Sequence, residues 1–384
     1  VNDTQGRRAK RKTGVAYCQA RIAVFECDGS ASLVPDSRWG QTGPLTKKAA
    51  ASNPGPEETP MHRRTLLALP PLLALPGLAR AQSDFPSRPL RLVIPFTAGG
   101  SNDIVGRMLA DAMAARLGQS IVVENRGGAG GVIGNDMVAK APPDGHTVLL
   151  AGSGSFLISS LVQPRLPYDP VRDFAPIGYI GASPNIICVN PRVAARNLDE
   201  LRTVARASQT PLRYGTPGVG TTGHALGAMI GVVLGAELEA VHYRGTGPAL
   251  SDVLAGRLEI ITNASAPLQP HIAAGTLRAL AVAGKSRSAA LPDLSTSVEQ
   301  GFPELDSATW YALLTTGGTP PDRIAALHRT LNAVLADADI RRRMIEHGVD
   351  EIAPSPTPAH LAELMVEERT RWQRVVQRAG LRIE

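Results

Sequence analysis

The residues that could do chemistry lie in five glycine- and hydroxyl-rich loops. The segment PFTAGGSND (95–103) joins a short apolar run to an amphipathic one. Gly99 and Gly100 let backbone approach a ligand, Ser101 and Asn102 are good N-caps, and Asp103 falls in the first helical turn. The free amides of such a helix start suit carboxylate, phosphate or sulfate. NRGGAGG (125–131) places four glycines in five positions, more than a turn needs. YGTPGVGTTGHALG (214–227) carries Gly218-x-Gly220-x-x-Gly223, the spacing of a dinucleotide fingerprint. A nicotinamide site also wants an acid after the next strand, where this chain has Tyr243 and Arg244. Arginine would tolerate a 2′-phosphate, so an exported NADP-binding enzyme is the alternative reading. The simpler use of Thr216, Thr221 and Thr222 is hydroxyl and amide donation to a small anion. HYRGTGPAL (242–250) is a further strand–turn–helix junction, and Asn263 closes the fifth, LEIITN.

Catalytic constellations do not assemble from the sequence. Ser153 and Ser155 in AGSGSF make no Gly-x-Ser-x-Gly elbow. His360 and Glu363 lie three apart on a helix without a third ligand, as on a solvated face. Cys188 sits in an apolar strand and reads as core rather than nucleophile.

Short apolar runs alternate with amphipathic ones and must position these loops. Strands are expected at 91–96, 121–125, 146–152, 185–190, 212–216, 239–243, 258–263, 277–284 and 308–316. Helices are expected at 103–118, 131–141, 198–207, 224–235, 247–256, 319–337, 338–348 and 357–380. Thr319-x-x-Asp322 reads as a capping pattern. The alternation implies parallel strands covered by helices on both faces. It occurs twice, which suggests two lobes with a cleft at the strand ends.

The chain's 384 residues carry a net charge of +6, which at first suggests an acidic partner. Charge placement removes that reading. Residues 82–384 hold 28 basic and 28 acidic side chains, and aromatics are 4% of the chain, so no nucleic-acid partner is expected. The surplus sits ahead, in residues 1–81. There, residues 61–81 (MHRRTLLALPPLLALPGLARA) run from Arg63 and Arg64 through an apolar stretch to Ala79-Arg80-Ala81. That is a secretory signal pattern, with an apolar run too short and too proline-broken to span a bilayer. Residues 1–60 show no sustained apolar period and read as an extension outside the functional protein. The mature chain would be 82–384, with Cys188 as its single cysteine.

The loops, in this order, resemble the extracytoplasmic substrate-binding proteins of tripartite tricarboxylate transporters, the Bug family. RLVIPFTAGGSNDIVGRMLA (91–110), VVENRGGAGGVIG (122–134), APPDGHTVLL (141–150), LPYDPVRDFAPIGYI (166–180), the 214–227 and 242–260 segments and the tail from Arg371 carry the resemblance. It implies an α/β, two-lobed class II periplasmic binding protein fold closing over a small carboxylate. It also implies periplasmic residence, delivery to membrane permease subunits, and a monomer without cofactor, metal or catalytic residues; a carboxylate-sensing subunit of a signalling system is a further alternative reading. Lobe 1 would comprise 82–180 and 306–384, and lobe 2 would comprise 181–305. The implied ligand loop is Phe96, Thr97, Ala98, Gly99, Gly100, Ser101, Asn102 and Asp103. Ser153, Thr216, Gly220, Thr221, Thr222, His224, Arg244, Gly245 and Asn263 complete the expected site. Arg244 stands where the family often has lysine, and would offer a bidentate fork to a carboxylate. Asp103, an anion beside an anionic ligand, is expected to brace its loop.

Overall fold

The computed structural model describes residues 85–163, 165–354 and 357–381, so the expected extension 1–60 and export segment 61–81 lie outside the described residues. The strands are β1 (Leu90–Ile94), β2 (Ile121–Asn125), β3 (Thr147–Gly152), β4 (Phe174–Val189), β5 (Leu212–Thr216), β6 (Leu238–His242), β7 (Ile260–Ala264), β8 (Arg278–Ala283) and β9 (Ala308–Thr316). The helices are α1 (Ser101–Leu117), α2 (Val132–Ala139), α3 (Ser159–Val162), α4 (Leu198–Ala207), α5 (Thr222–Leu234), α6 (Thr246–Leu254), α7 (Gln269–Ala273), α8 (Pro321–Leu335), α9 (Ala338–Glu346) and α10 (Pro358–Arg378).

The strand order is β2-β1-β3-β9-β4-β7-β5-β6, with β8 also on β4. β4 serves both lobes. Its first part, Phe174–Pro184, pairs antiparallel with β9, and from Asn185 to Val189 it pairs with β7 and β8. β1 lies parallel to β2 and β3, and β5 lies parallel to β6 and β7. The all-parallel expectation is therefore corrected: parallel βαβ units stand at the outside of each lobe, and the antiparallel strands β4 and β9 run between them.

The extra length of β4 was not expected from the sequence. Pro176, Gly178, Gly181 and Pro184 would each argue against a strand. The chain accommodates the first three by register shifts at Pro176/Gly178 and Tyr179/Gly181, while Pro184 stands at the end of the ladder opposite Ala308, where β9 begins.

Each lobe has its own apolar core. In the first, Val105, Met108, Leu109 and Met113 of α1 pack with Leu90, Leu92 and Ile94 of β1 and Leu331 of α8. In the second, Leu198 and Leu201 of α4, Met229 and Ile230 of α5 and Tyr214 surround Ile187 and Ile260. α10 touches both: Leu361 joins the first lobe's cluster, while Trp372 and Val376 pack with Ile158, Val162 and Ala225. Cys188 is fully buried, and burial pushes its thiol far up, as befits core. His360 and Glu363 are exposed at 50% and 77%, a solvated face. At α8 the expected cap is corrected: Pro320 is the N-cap, and the Thr319 hydroxyl instead donates to the Thr316 carbonyl at 2.8 Å.

Candidate functional site

Three helix starts and one turn meet between the lobes. α1 begins at Ser101 with Gly100 as N-cap, so Ser101 and Asn102 are the first helical residues rather than caps. α5 begins at Thr222 behind Thr221, whose hydroxyl accepts from the His224 amide. α6 begins at Thr246 behind Gly245. After β3 a π-helical turn, Ser153–Ile158, opens from Gly152. Together they line a cavity with Phe96, Gly100, Ser101, Asn102, Gly152, Gly154, Ser155, Pro217, Thr221, Thr222, Thr246, Asn263 and Thr309.

The lining contains no Lys, Arg, Asp or Glu, so charge on a ligand would be met by amides, hydroxyls and carboxamides. The lobes meet at this cavity, where Thr222 of one lobe is in hydrogen-bond contact with Thr309 of the other.

Most hydroxyls around the cavity are already committed. Thr222 Oγ1 lies 2.7 Å from Thr309 Oγ1, which donates to Asn185 Oδ1 at 3.1 Å. Thr246 Oγ1 donates to Asn263 Oδ1 at 3.1 Å, and Thr221 Oγ1 donates to the Gly218 carbonyl at 2.7 Å. Asn102 differs. Its Nδ2 is buried and has no hydrogen-bond partner in the structure, which makes it an available donor on the wall of the cavity. The first amides of α1, α5 and α6 add further donors, since a helix leaves its leading N–H groups without intrahelical partners.

Asp103 is turned to its own loop. Its carboxylate accepts from the Gly99 amide at 2.9 Å, Asn125 Nδ2 at 2.9 Å and Arg107 Nε at 3.0 Å. Burial pushes this carboxyl up, but Arg107, the Gly99 amide and Asn125 outweigh it and hold the group below the usual carboxylate range.

Of the expected ligand residues, Phe96, Gly100, Ser101, Asn102, Thr221, Thr222 and Asn263 line the cavity. Thr97, Ala98, Gly99, Asp103, Ser153, Thr216, Gly220, His224, Arg244 and Gly245 do not. Thr216 Oγ1 accepts from the Gly218 amide at 3.1 Å and lies 2.8 Å from His242 Nδ1. Ser153 Oγ accepts from the Trp310 amide at 3.3 Å. His224 Nδ1 accepts from the Gly220 amide at 3.2 Å, and the His224 and His242 rings meet edge to face at 4.6 Å. Arg244 is exposed, and Thr246, two residues on, lines the cavity.

Residues missed from the sequence are Gly152, Gly154, Ser155, Pro217, Thr246 and Thr309. Thr246 stood in the quoted helix-start segment and was recoverable from it. Thr309 reaches the cavity through pairing of β4 and β9, which local sequence does not encode.

The glycine fingerprint has a packing use in this geometry. A methyl on Gly220 would stand 2.6 Å from Ser159 Cα, and one on Gly218 would stand 3.1 Å from Gly130 Cα. Both therefore face polypeptide, where a dinucleotide pyrophosphate would need open space.

Comparison with known proteins agrees with this geometry. Residues 105–381 match the family model described as "Tripartite tricarboxylate transporter family receptor". Protein BugT of Bordetella pertussis is 33% identical over 325 residues, covering 84% of this chain and 99% of that protein. The structure of R. palustris Rpa4515 with adipate superposes with a TM-score of 0.75 at 32% identity, covering 78% of this chain and 99% of that one. MatC from Rhodopseudomonas palustris with bound malate gives a TM-score of 0.72 at 30% identity, covering 76% of this chain and all of the other. The fold is thus the two-lobed α/β class of periplasmic binding proteins, and the chain belongs to the tripartite tricarboxylate transporter receptor family, the Bug proteins.

Proposed function

We propose that this protein captures a small carboxylate between its lobes and delivers it, as a closed monomer, to the permease subunits of a tripartite tricarboxylate transporter. The observation that carries the reading is the convergence of α1, α5, α6 and the turn after β3 on one cavity with an uncharged, donor-rich wall. Each helix start contributes about 0.3–1 kcal/mol toward an anion when exposed and up to about 2 when partly buried. The two relatives with bound diacids, adipate and malate, support the ligand class. The role is capture without catalysis, and needs no cofactor or metal. The lobes would be 82–180 with 306–384, and 181–305, with the strands crossing between them as hinge. Residues 61–81 would direct export to the periplasm, leaving 1–60 outside the working protein. Because contacts from both sides exist in the closed state alone, ligand shifts the open–closed balance toward closure.

Thermal melts against dicarboxylates, tricarboxylates, acidic amino acids and aromatic acids test this, with nucleotides and divalent metals as controls. At 100-fold above its dissociation constant, the right carboxylate raises stability by about 2.7 kcal/mol. A panel in which no carboxylate moves the melting point while NADPH does would transfer the cavity to a dinucleotide.

A further inference from the structure

Two glycines where the lobes meet cannot be explained by turn geometry. Gly128, Gly130 and Gly131 have φ of 137°, 64° and 104°, which disfavour other residues. Gly154 has no positive φ, and Gly245, at φ 163°, is extended backbone that any residue adopts. What these two share is a neighbour in the opposite lobe. A methyl on Gly154 would stand 2.8 Å from the Thr222 amide nitrogen and 2.9 Å from Thr221 Cα. A methyl on Gly245 would overlap Thr97 Oγ1, and one on Gly130 would overlap the Val219 carbonyl. For Gly154 and Gly245, the three atoms nearest such a methyl all belong to the other lobe. Strain within their own lobe is therefore not what an alanine would meet.

We propose that Gly154 and Gly245 are positioning residues of capture: bare backbone at these points lets the lobes close onto each other, and that closed separation sets how near the helix starts come to the ligand. The proposal rests on the capture reading above. The consequence follows from distance. Non-bonded carbon, nitrogen and oxygen need about 3.4–4 Å, so an added methyl holds the lobes apart at the cavity's edge. The donors of α1 and α5 then cannot both reach one carboxylate, and water stays between them.

The full chain tests this with Gly154→Ala and Gly245→Ala. The matched control is Gly247→Ala, in the first turn of α6, where the added methyl would meet the Ala98 carbonyl oxygen at an ordinary 3.8 Å. Spin labels at Ala115→Cys and Asp199→Cys, one on each lobe, report the closed population as a short interlobe distance. The wild type and Gly247→Ala are expected to populate that distance without ligand, and Gly154→Ala and Gly245→Ala to lose it with melting temperature unchanged. Affinity for malate or adipate, used as probes, should fall roughly ten- to hundredfold in the two variants. Should neither diacid bind the wild type, that counts against the capture reading, while the distance measurement still decides this one. The proposal is overturned if both variants keep the short distance, or if the wild type never shows it. It is also overturned if either variant melts several degrees early, since a contact made on closure does not hold the open fold together.

Discussion

At the scale of single residues, Asp103 shows how position outweighs type. A carboxylate at a helix start beside an anion site would be repulsive, yet this one accepts from Gly99, Asn125 and Arg107 and is spent on its own loop. Asp103→Asn leaves one acceptor and sets a new NH₂ against the donors of Asn125 or Arg107. We expect a loss of about 1.5–3 kcal/mol of folding stability at neutral pH, with weaker carboxylate binding because the α1 start is no longer held. Denaturant titration and calorimetry check both halves; stronger binding with unchanged stability would make repulsion the dominant effect. The aspartate's contribution also has a signed pH dependence. A depressed carboxyl stabilises above its unfolded value, and that stability is lost as pH falls through the lower folded value. The sequence made the hydroxyl and amide donors of this loop legible because N-terminal helix chemistry is local. Arg244 is exposed and Thr246 lines the cavity, because which of two near neighbours reaches a cavity depends on how the lobe turns the helix start.

At the scale of elements, legibility followed how local each element's cause is. β2, α4, β5 and β9 fall on the residues their periodicity predicts. The first part of β4 and the turn Ser153–Ile158 did not. β4 depends on register shifts against β9, and the turn is a Gly-Ser-rich stretch that reads as a loop until packed under Asn135 and α10. The β5–α5 junction carries a testable device. Burial, and next the neighbouring His242, lower the His224 pKa from 6.5 to about 4. Geometry gives the same sign, since Nδ1 accepts from the Gly220 amide and a proton there would displace that bond. The unfolded chain takes up this proton near pH 6.5 and the folded chain near 4, so stability is complete above the higher value and falls as pH drops between them. The full loss is about 3 kcal/mol, at 1.36 kcal/mol per unit. His242, also lowered by burial, adds to the slope in the same direction. Melting temperature should decline from pH 6.5 toward 4, and His224→Gln should flatten much of that decline. An unchanged slope would mean that His224 is hydrated and free in solution.

At the scale of the whole molecule, the question is what would keep two lobes in one register during the proposed closure. The lobe pattern was readable from two rounds of strand–helix alternation, and so were β9 and α10 as elements, but the pairing of β4 with β9 and the packing of α10 against both lobes were not, because their partners lie far off in the chain. α10 is that bridge. Leu361 belongs to the first lobe's core, whereas Trp372 and Val376 pack with Ile158 and Val162 on one side and Ala225 of α5 on the other. The Trp372 indole is 1% exposed and donates to Glu368 Oε2 at 3.1 Å, and Arg371 reaches the Asp306 carbonyl at 3.3 Å, where the chain enters β9. A cluster drawn from both lobes and from α10 would serve as a pivot for the proposed closure, since rotation about it would change the cleft far more than the packing at its centre. Trp372→Ala should then cost about 3–5 kcal/mol in the ligand-free protein, the usual range for a buried aromatic removed from a core. Saturating carboxylate should add the same stabilisation to variant and wild type, because a pivot is packed in both states. Chemical denaturation with and without malate or adipate separates the two cases: a cost that appears with ligand alone would make Trp372 part of the closing contact, and the pivot would have to lie in β4 and β9 themselves.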